Sequence, residues 1–194
     1  MLAGSTQDPE ESLALETYQQ LSRESPRLRL ILVPRHPERF EAVATLLERS
    51  GIRWQRRSQL NERDDGPAAR VLLVDSVGEL GSWWGTAQIA FVGGSLGRRG
   101  GQNMIEPAAY GAAVSFGPRT RNFRDVVQLM LAADAACVVH DQQEFTAFVE
   151  GCLSNPEQAR QLGLRARQLV EQQLGATERT LELVAPLVNE VDEG

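Results

Sequence analysis

A glycine-rich stretch is the part of this sequence whose composition most clearly suggests chemistry. Five glycines fall within residues 93–101, in the sequence FVGGSLGRRGGQNMIEP. Glycine lets a backbone approach a ligand closely, and backbone N–H groups beside a helix N-terminus suit a phosphate. The spacing lacks G-x-G-x-x-G, which excludes the dinucleotide-binding fingerprint. Glu106 follows in a predicted helical first turn, where it would either accept hydrogen bonds from a ribose diol or interact with the helix dipole.

Arginine side chains supply positive charge near this stretch. Arg35 and His36 lie between two prolines just after a predicted strand, so a stiff turn aims both side chains at one edge of a sheet. Arginine presents a fork of N–H donors that suits a phosphate or a carboxylate. Five more arginines are concentrated in an otherwise acidic chain: Arg98, Arg99, Arg119, Arg121 and Arg124. This local excess predicts a polyanionic ligand, with ordinary solvated charges as the alternative.

Polar residues also follow another predicted strand. The segment from Asp75 to Glu79 includes Ser76 and Gly78. The residues alone leave two interpretations open. The segment contacts a ligand, or Asp75 or Ser76 caps the N-terminus of the next helix.

The elements that must position these residues follow from an alternation of short apolar runs with helical periodicity. The predicted strands are 28–33, 53–57, 71–74, 89–92, 113–116 and 136–139, and residues 2–4 fit the end of an earlier strand. The predicted helices are 38–50, 79–86, 103–110, 123–132, 143–153 and a helical tail over about 156–190 that is broken near Gly175. Asn155 is expected to cap that tail, and residues 61–69 are expected to form a loop.

This alternation is typical of an α/β protein with a Rossmann-like, doubly wound sheet, mostly parallel, with helices on both faces. Ligands of such sheets bind beyond the carboxyl ends of the strands. The candidate residues all come just after predicted strands, so we expect them at that edge.

The composition excludes several classes of function. All 20 cationic side chains are arginines, so a P-loop and lysine Schiff-base chemistry are ruled out. A net charge of −6 and 6% aromatic residues argue against nucleic-acid binding. Cys137 and Cys152 lack metal-site spacing. With no apolar run of ~18 residues and no visible secretory signal, we expect one cytoplasmic domain over residues 1–194, in which Met1 begins a truncated chain.

The order of the motifs resembles a known family. The matching strings are GST at 4–6, LVPRHPERF at 32–40, GEL at 78–80, FVGGS at 91–95, GGQN at 100–103, EPAA at 106–109, and GP at 117–118 with NF at 122–123. Together they resemble the C-terminal half of a 3-deoxy-D-manno-octulosonic acid (Kdo) transferase, the enzyme that adds Kdo to lipid A in lipopolysaccharide biosynthesis. The resemblance covers nearly the whole chain.

The resemblance implies a GT-B glycosyltransferase, in which two Rossmann-like domains face a cleft and the C-terminal domain holds the donor, CMP-Kdo. It implies no cofactor and no metal. Arg35 and His36 would lie at the nucleotide phosphate and donor, Gly94, Ser95 and Asn103 at the phosphate or sugar, and Glu106 at the ribose. The full set of implied donor-binding residues is Arg35, His36, Ser76, Gly78, Glu79, Gly94, Ser95, Gly101, Gln102, Asn103, Glu106, Arg119 and Asn122.

The resemblance places the catalytic base, the acceptor surface and the membrane anchor in the N-terminal domain, with no catalytic residue on this segment. This chain alone would therefore be inactive, and the full enzyme would act on a lipid A precursor at the cytoplasmic face of the bacterial inner membrane. Gln7, Gln102 and Arg119 stand where the family commonly has histidine. A GT-B transferase that uses a UDP-sugar, and a non-catalytic module that binds a sugar nucleotide or a partner, are the alternatives.

Overall fold

The computed structural model describes residues 1–60 and 69–189, with side chains described through residue 173. Seven strands form one sheet in the order β3-β4-β2-β1-β5-β6-β7, and every neighbouring pair is parallel. The strands are β1 (Leu2–Thr6), β2 (Leu30–Pro34), β3 (Trp54–Arg56), β4 (Val71–Leu73), β5 (Ile89–Val92), β6 (Ala113–Phe116) and β7 (Cys137–Val138). The predicted fold class is confirmed.

Helices cover both faces of this sheet. They are α1 (Glu10–Leu21), α2 (Phe40–Arg49), α3 (Leu80–Trp84), α4 (Ile105–Ala109), α5 (Arg124–Ala132), α6 (Gln142–Ser154) and α7 (Pro156–Asn189). Short 3-10 turns occupy Pro37–Arg39, Arg57–Gln59 and Arg121–Phe123. Among the described residues, none of these helices combines the length and the apolar character needed to cross a membrane.

Successive residues of the central strands pack on opposite faces, because side chains alternate in direction along a β-strand. Leu30 and Leu32 of β2 belong to one apolar core, whereas Val33 belongs to the other. Phe91 and Val92 of β5 divide in the same way. Helices α1, α2 and α6 pack on the first face, α3, α4 and α5 on the second, and α7 contributes to both. Burial on both faces explains why the strands appear in the sequence as continuous apolar runs.

Most predicted elements are present, with ends that differ by a few residues. Asn155 caps α7 as expected, because its Oδ1 accepts a hydrogen bond from the Gln158 amide at 3.1 Å. The predicted break near Gly175 is wrong, since α7 runs without interruption to Asn189. A glycine inside a helix costs only about 1 kcal/mol, which is too little to end a long helix. The predicted loop lies, except for its last residue, outside the described residues.

Helix α1 was not predicted from the sequence pattern. Its buried face includes Glu10, Glu11 and Thr17 beside apolar residues such as Ala14 and Leu15. Charged and polar side chains on the inward face interrupt the apolar stripe by which an amphipathic helix is recognised. Two of these inward residues, Glu10 and Glu11, prove important for the site.

Candidate functional site

The candidate residues gather at the carboxyl edge of β2, β1, β5 and β6. The chain leaves β1 toward β2 on one side and reaches β5 on the other, so a crevice opens between β1 and β5, where doubly wound sheets bind ligands. Hydrogen bonds join the loops at this edge. The Gly93 amide donates to Gly4 O at 2.9 Å, and the Arg35 amide donates to Thr6 O at 3.0 Å.

We call residues 93–101 the glycine loop. The backbone amides in its first half donate hydrogen bonds to a buried carboxylate of the protein itself. Glu10 is 1% exposed. Its carboxylate accepts hydrogen bonds from the amides of Gly94 (2.7 Å), Ser95 (2.9 Å) and Leu96 (3.0 Å), and from the Gln7 amide (2.9 Å). Burial raises the pKa of Glu10, although the four N–H bonds favour its ionised form. An anion that belongs to the protein itself therefore occupies this cradle of amides.

This arrangement bears on one expectation from the sequence, which stays a prediction. The amides of Gly94 and Ser95 were expected to hold a phosphate, but their N–H groups are already used by Glu10. The Ser95 side chain is also fully buried, where its Oγ donates to Val92 O at 2.6 Å and accepts from the Gly117 amide at 2.8 Å. Ser95 therefore joins the ends of β5 and β6, and its contact with the donor stays a prediction.

A second buried carboxylate fixes part of the PRHPERF string. Arg39 binds Glu11 through two hydrogen bonds, from Nε to Oε1 at 3.0 Å and from Nη2 to Oε2 at 3.1 Å. Glu11 is 1% exposed, and its hydrogen bonds raise the pKa of the Arg39 guanidinium. Arg35 is exposed and His36 half-buried. Neither side chain forms a hydrogen bond or ion pair with another described residue, so both remain available to a ligand.

The segment after β4 is fixed by its own contacts. Asp75 accepts hydrogen bonds from the Ser58 amide at 2.9 Å and from its Oγ at 2.6 Å. Glu79 accepts from Arg57 Nε at 3.0 Å and from Trp83 Nε1 at 3.2 Å. No side chain caps α3, so the proposed capping role of Asp75 or Ser76 is wrong.

The donor-binding role predicted for Ser76, Gly78 and Glu79 is a separate matter. These residues follow β4, which lies beside β2 in the sheet. They therefore share the carboxyl edge with Arg35. Gly78 has a φ of +86° and open space around the position of a Cβ. Their contact with a ligand stays a prediction.

The second half of the glycine loop leads into α4. Asn103 Oδ1 accepts from the Ile105 amide at 3.0 Å, and its Nδ2 donates to Glu106 Oε1 at 3.1 Å. Glu106 is exposed, and its second oxygen has no partner among the described residues. Gln7 and Gln102 both lie close to Gly94, because a Cβ at Gly94 would fall 3.6 Å from Gln7 Nε2 and 3.2 Å from Gln102 Cγ. Two of the three departures from the family pattern thus lie at the same place.

Four of the five arginines in the predicted cluster line a cavity of about 710 Å³, whereas Arg99 is not among its lining residues. We call this cavity the arginine pocket; its lining is Arg98, Gly100, Pro118, Arg119, Thr120, Arg121 and Arg124. Backbone hydrogen bonds hold its two loops together, from the Arg119 amide to Ser95 O at 2.9 Å and from the Asn122 amide to Gly100 O at 3.0 Å. Asn122 Nδ2 donates to Arg99 O at 3.0 Å, so its side chain supports the pocket wall. Gly101 is buried at a φ of +85° beside this wall.

Sequence reasoning did not identify Glu10 and Glu11, whose buried carboxylates bind the glycine loop and Arg39 at this edge. The available indication was a pair of glutamates that begins four residues after the end of the GST string, at the start of a helix that the periodicity did not reveal. Within the described part of the chain, no three His, Cys, Asp or Glu side chains are grouped so that they could hold a metal ion.

Comparison with known proteins shows which family this chain belongs to. The solved structure of the C-terminal CMP-Kdo binding domain of WaaA from Acinetobacter baumannii is 33% identical and superposes with a TM-score of 0.78, over 87% of each chain. The chain belongs to the Kdo transferase family. No protein-family model matches it. Its relationship to that solved domain identifies it as a C-terminal Kdo transferase domain, as the motifs predicted.

Two curated Kdo transferases agree with this assignment. The 3-deoxy-D-manno-octulosonic acid transferase of Haemophilus influenzae is 35% identical over 186 residues, which are 95% of this chain and 43% of that protein. The enzyme of the same name from Bordetella pertussis is 36% identical over 181 residues, 92% of this chain and 42% of that protein. The chain thus spans less than half the length of these Kdo transferases.

Proposed function

We propose that this chain is the domain of a Kdo transferase that binds the donor CMP-Kdo. The observation that carries the proposal is the match, at 33% identity over 87% of both chains, to a domain described as binding CMP-Kdo. The arginines at the carboxyl edge of the sheet, which form no ion pair with another described residue, provide the charge that an anionic sugar nucleotide needs.

In the complete enzyme, Kdo would pass from CMP-Kdo to a hydroxyl of a lipid A precursor, with inversion and with CMP as leaving group. The base, the acceptor surface and the membrane anchor would lie in the N-terminal domain, at the cytoplasmic face of the bacterial inner membrane. This chain alone would then bind the donor without turning it over. No metal is needed in this proposal, because arginine side chains take the negative charge.

The chemistry assigned to this chain is stabilisation of the leaving phosphate. The side chains of Arg35 and His36 have no hydrogen-bond or ion-pair partner in the part of the chain that the structure describes, and they follow β2 beside the crevice. Fixed positive groups aimed at developing negative charge lower a barrier without reorganising during the reaction. Because Glu10 occupies the amides of Gly94, Ser95 and Leu96, this task falls to side chains and not to that part of the loop.

A titration with CMP, UDP and NAD, followed by calorimetry or heteronuclear NMR, tests the proposal. We expect CMP to bind best and its binding to be lost in the double variant Arg35→Ala, Glu106→Ala. The matched control is Glu24→Ala, Arg27→Ala, which removes one acid and one arginine, both exposed, between α1 and β2 at the opposite edge of the sheet.

Each other outcome points elsewhere. A preference for UDP would keep the fold and replace the donor by a UDP-sugar. If the folded chain bound no nucleotide, the donor-binding proposal would fail for this chain, and a module that binds a protein partner would become the better description. Turnover by this chain alone would contradict the placement of the base in another domain.

A further inference from the structure

Two sets of arginines among the described residues differ in their partners. Arg39, Arg56, Arg57, Arg160 and Arg167 each form an ion pair with a carboxylate. The four arginines of the arginine pocket are exposed and have no ion pair with any residue in the described ranges: Arg98, Arg119, Arg121 and Arg124. Like charges that converge on one cavity repel each other, so a pocket of this kind is stabilised by an anion from outside.

Backbone contacts hold the walls of the pocket together. Its two loops are joined by the hydrogen bonds from Arg119 to Ser95 and from Asn122 to Gly100. Gly100 has a φ of +92°, and a Cβ there would come within 2.7 Å of Arg121 Cγ, so the loop backbone packs directly against this arginine. A volume of about 710 Å³ lies within the range of small-molecule sites.

The closed half of the glycine loop limits where a ligand's charges can go. The Glu10 carboxylate already accepts the hydrogen bonds that the amides of residues 94–96 donate. Among the described residues, the cations without an ion pair that flank the crevice include Arg35, after β2, and the arginines of the arginine pocket, which β6 leads into. Two strands, β1 and β5, separate these positions, which places the ends of β2 and β6 ~14 Å apart at the usual strand spacing. The crevice between β1 and β5 lies between these positions, so a ligand in the crevice can turn one anionic group toward Arg35 and another toward the arginine pocket.

We infer that the arginine pocket binds the carboxylate of the donor's sugar acid, while the nucleotide phosphate lies toward Arg35 and His36. The inference rests on the proposed function. An octulosonic acid joined to CMP through its anomeric carbon carries its carboxylate on that same carbon, next to the phosphate. The planar guanidinium fork of arginine matches a carboxylate through two parallel hydrogen bonds. The pocket would then distinguish a sugar acid from a neutral sugar on the same nucleotide.

The test compares two ligands, CMP and freshly prepared CMP-Kdo, against the same variants. In Arg98→Gln, Arg124→Gln we expect the dissociation constant of CMP-Kdo to rise tenfold or more, because charge-assisted hydrogen bonds are lost. The dissociation constant of CMP should stay within about twofold, because CMP lacks the carboxylate. Arg98→Lys, Arg124→Lys should recover part of the loss, since lysine keeps the charge without the fork.

The matched control is Arg49→Gln, at an exposed arginine in the last turn of α2. It should change neither constant. Equal weakening of CMP and CMP-Kdo in the pocket variant would overturn the assignment and give the pocket to the phosphate. Unchanged binding of both ligands would also overturn it, leaving the pocket to an anionic acceptor. If the wild-type chain bound neither ligand, the proposed function would fail together with this assignment, which separates that case from the other two.

Discussion

The two halves of the glycine loop have a similar glycine-rich backbone but face different surroundings. In the first half, the amides of residues 94–96 converge on the buried carboxylate of Glu10. In the second half, the loop opens onto a cavity lined by four arginines that have no described carboxylate partner. A glycine-rich sequence therefore does not by itself identify the anion site. What matters is whether the protein supplies its own anion to the amides.

The arginines repeat this contrast. Arg39 belongs to the closed region, where it makes two hydrogen bonds to the buried Glu11. Arg124 belongs to the open region and is exposed without an ion pair in the described structure. We therefore expect the closed region to stabilise the fold and the open region to bind a ligand, and substitutions should separate these two roles.

The largest expected effect is at the closed cradle. Glu10→Ala leaves four buried or partly buried N–H donors without their acceptor, and we expect it to lower the free energy of unfolding by about 3–5 kcal/mol. Urea unfolding followed by circular dichroism measures this. Glu16→Ala, at an exposed glutamate on the same helix, should stay within about 0.5 kcal/mol. If the two variants were equally stable, the cradle would have no structural role.

The next effect compares a paired arginine with an unpaired one. Arg39→Gln strands the Glu11 carboxylate, which is 1% exposed, and should cost about 2–4 kcal/mol of unfolding free energy. Arg124→Gln removes no described partner and should change it by less than about 0.5 kcal/mol. Thermal unfolding of both variants gives the comparison, and a comparable loss for Arg124→Gln would mean that the open region also stabilises the fold.

Two glycines of the loop offer a smaller and sharper test. A Cβ at Gly93 would lie 2.6 Å from both Ser5 O and Thr6 Cα, which are backbone atoms that cannot easily move. Gly93→Ala should therefore destabilise the chain by about 1–3 kcal/mol. A Cβ at Gly97 meets nothing within 4 Å, so Gly97→Ala should be neutral. Equal unfolding midpoints for the two variants would contradict the close contact between β1 and β5.

The smallest expected effect is a dependence on pH. Burial raises the pKa of Glu10 above its ordinary value of 4.5. The stabilisation that this raised pKa contributes to the folded state is fully present when the pH lies below the unfolded-state pKa. It is lost as the pH rises through the folded-state pKa. Compared with Glu10→Gln, the wild-type chain should therefore lose unfolding free energy as the pH rises above about 4.5. A gain over that range, in parallel urea titrations, would mean that the N–H bonds outweigh burial.

The fold was largely predictable because its strands are buried on both faces. Runs such as 71–74 and 89–92 are short, apolar and separated by helical patterns, which leaves little choice of architecture. Helix α1 was missed because Glu10 and Glu11 lie on its buried face. The break expected at Gly175 does not occur, since one glycine weakens a helix only slightly. The single-domain assignment stays a prediction.

The site was predictable in its location and less so in its contacts. Arg35, Glu106 and the arginine cluster were expected at the carboxyl edge of the sheet, and they lie at that edge. The internal partners of Ser95 were not predicted, because a serine beside glycines is chemically suited both to a ligand and to the two backbone groups that it binds here. Local sequence cannot choose between these partners.

The sequence by itself determined the parallel α/β architecture, the family and the edge at which the candidate residues lie. Apolar periodicity and motif order can be recognised in the sequence alone, because neither depends on which distant residues are in contact. Only the tertiary structure decided which groups at that edge are already satisfied. Glu10 is 84 to 86 residues away from the amides that it binds, whereas the pocket arginines meet no described carboxylate. Pairing between distant residues depends on how the chain folds back on itself, and this pairing separates the closed cradle from the open pocket.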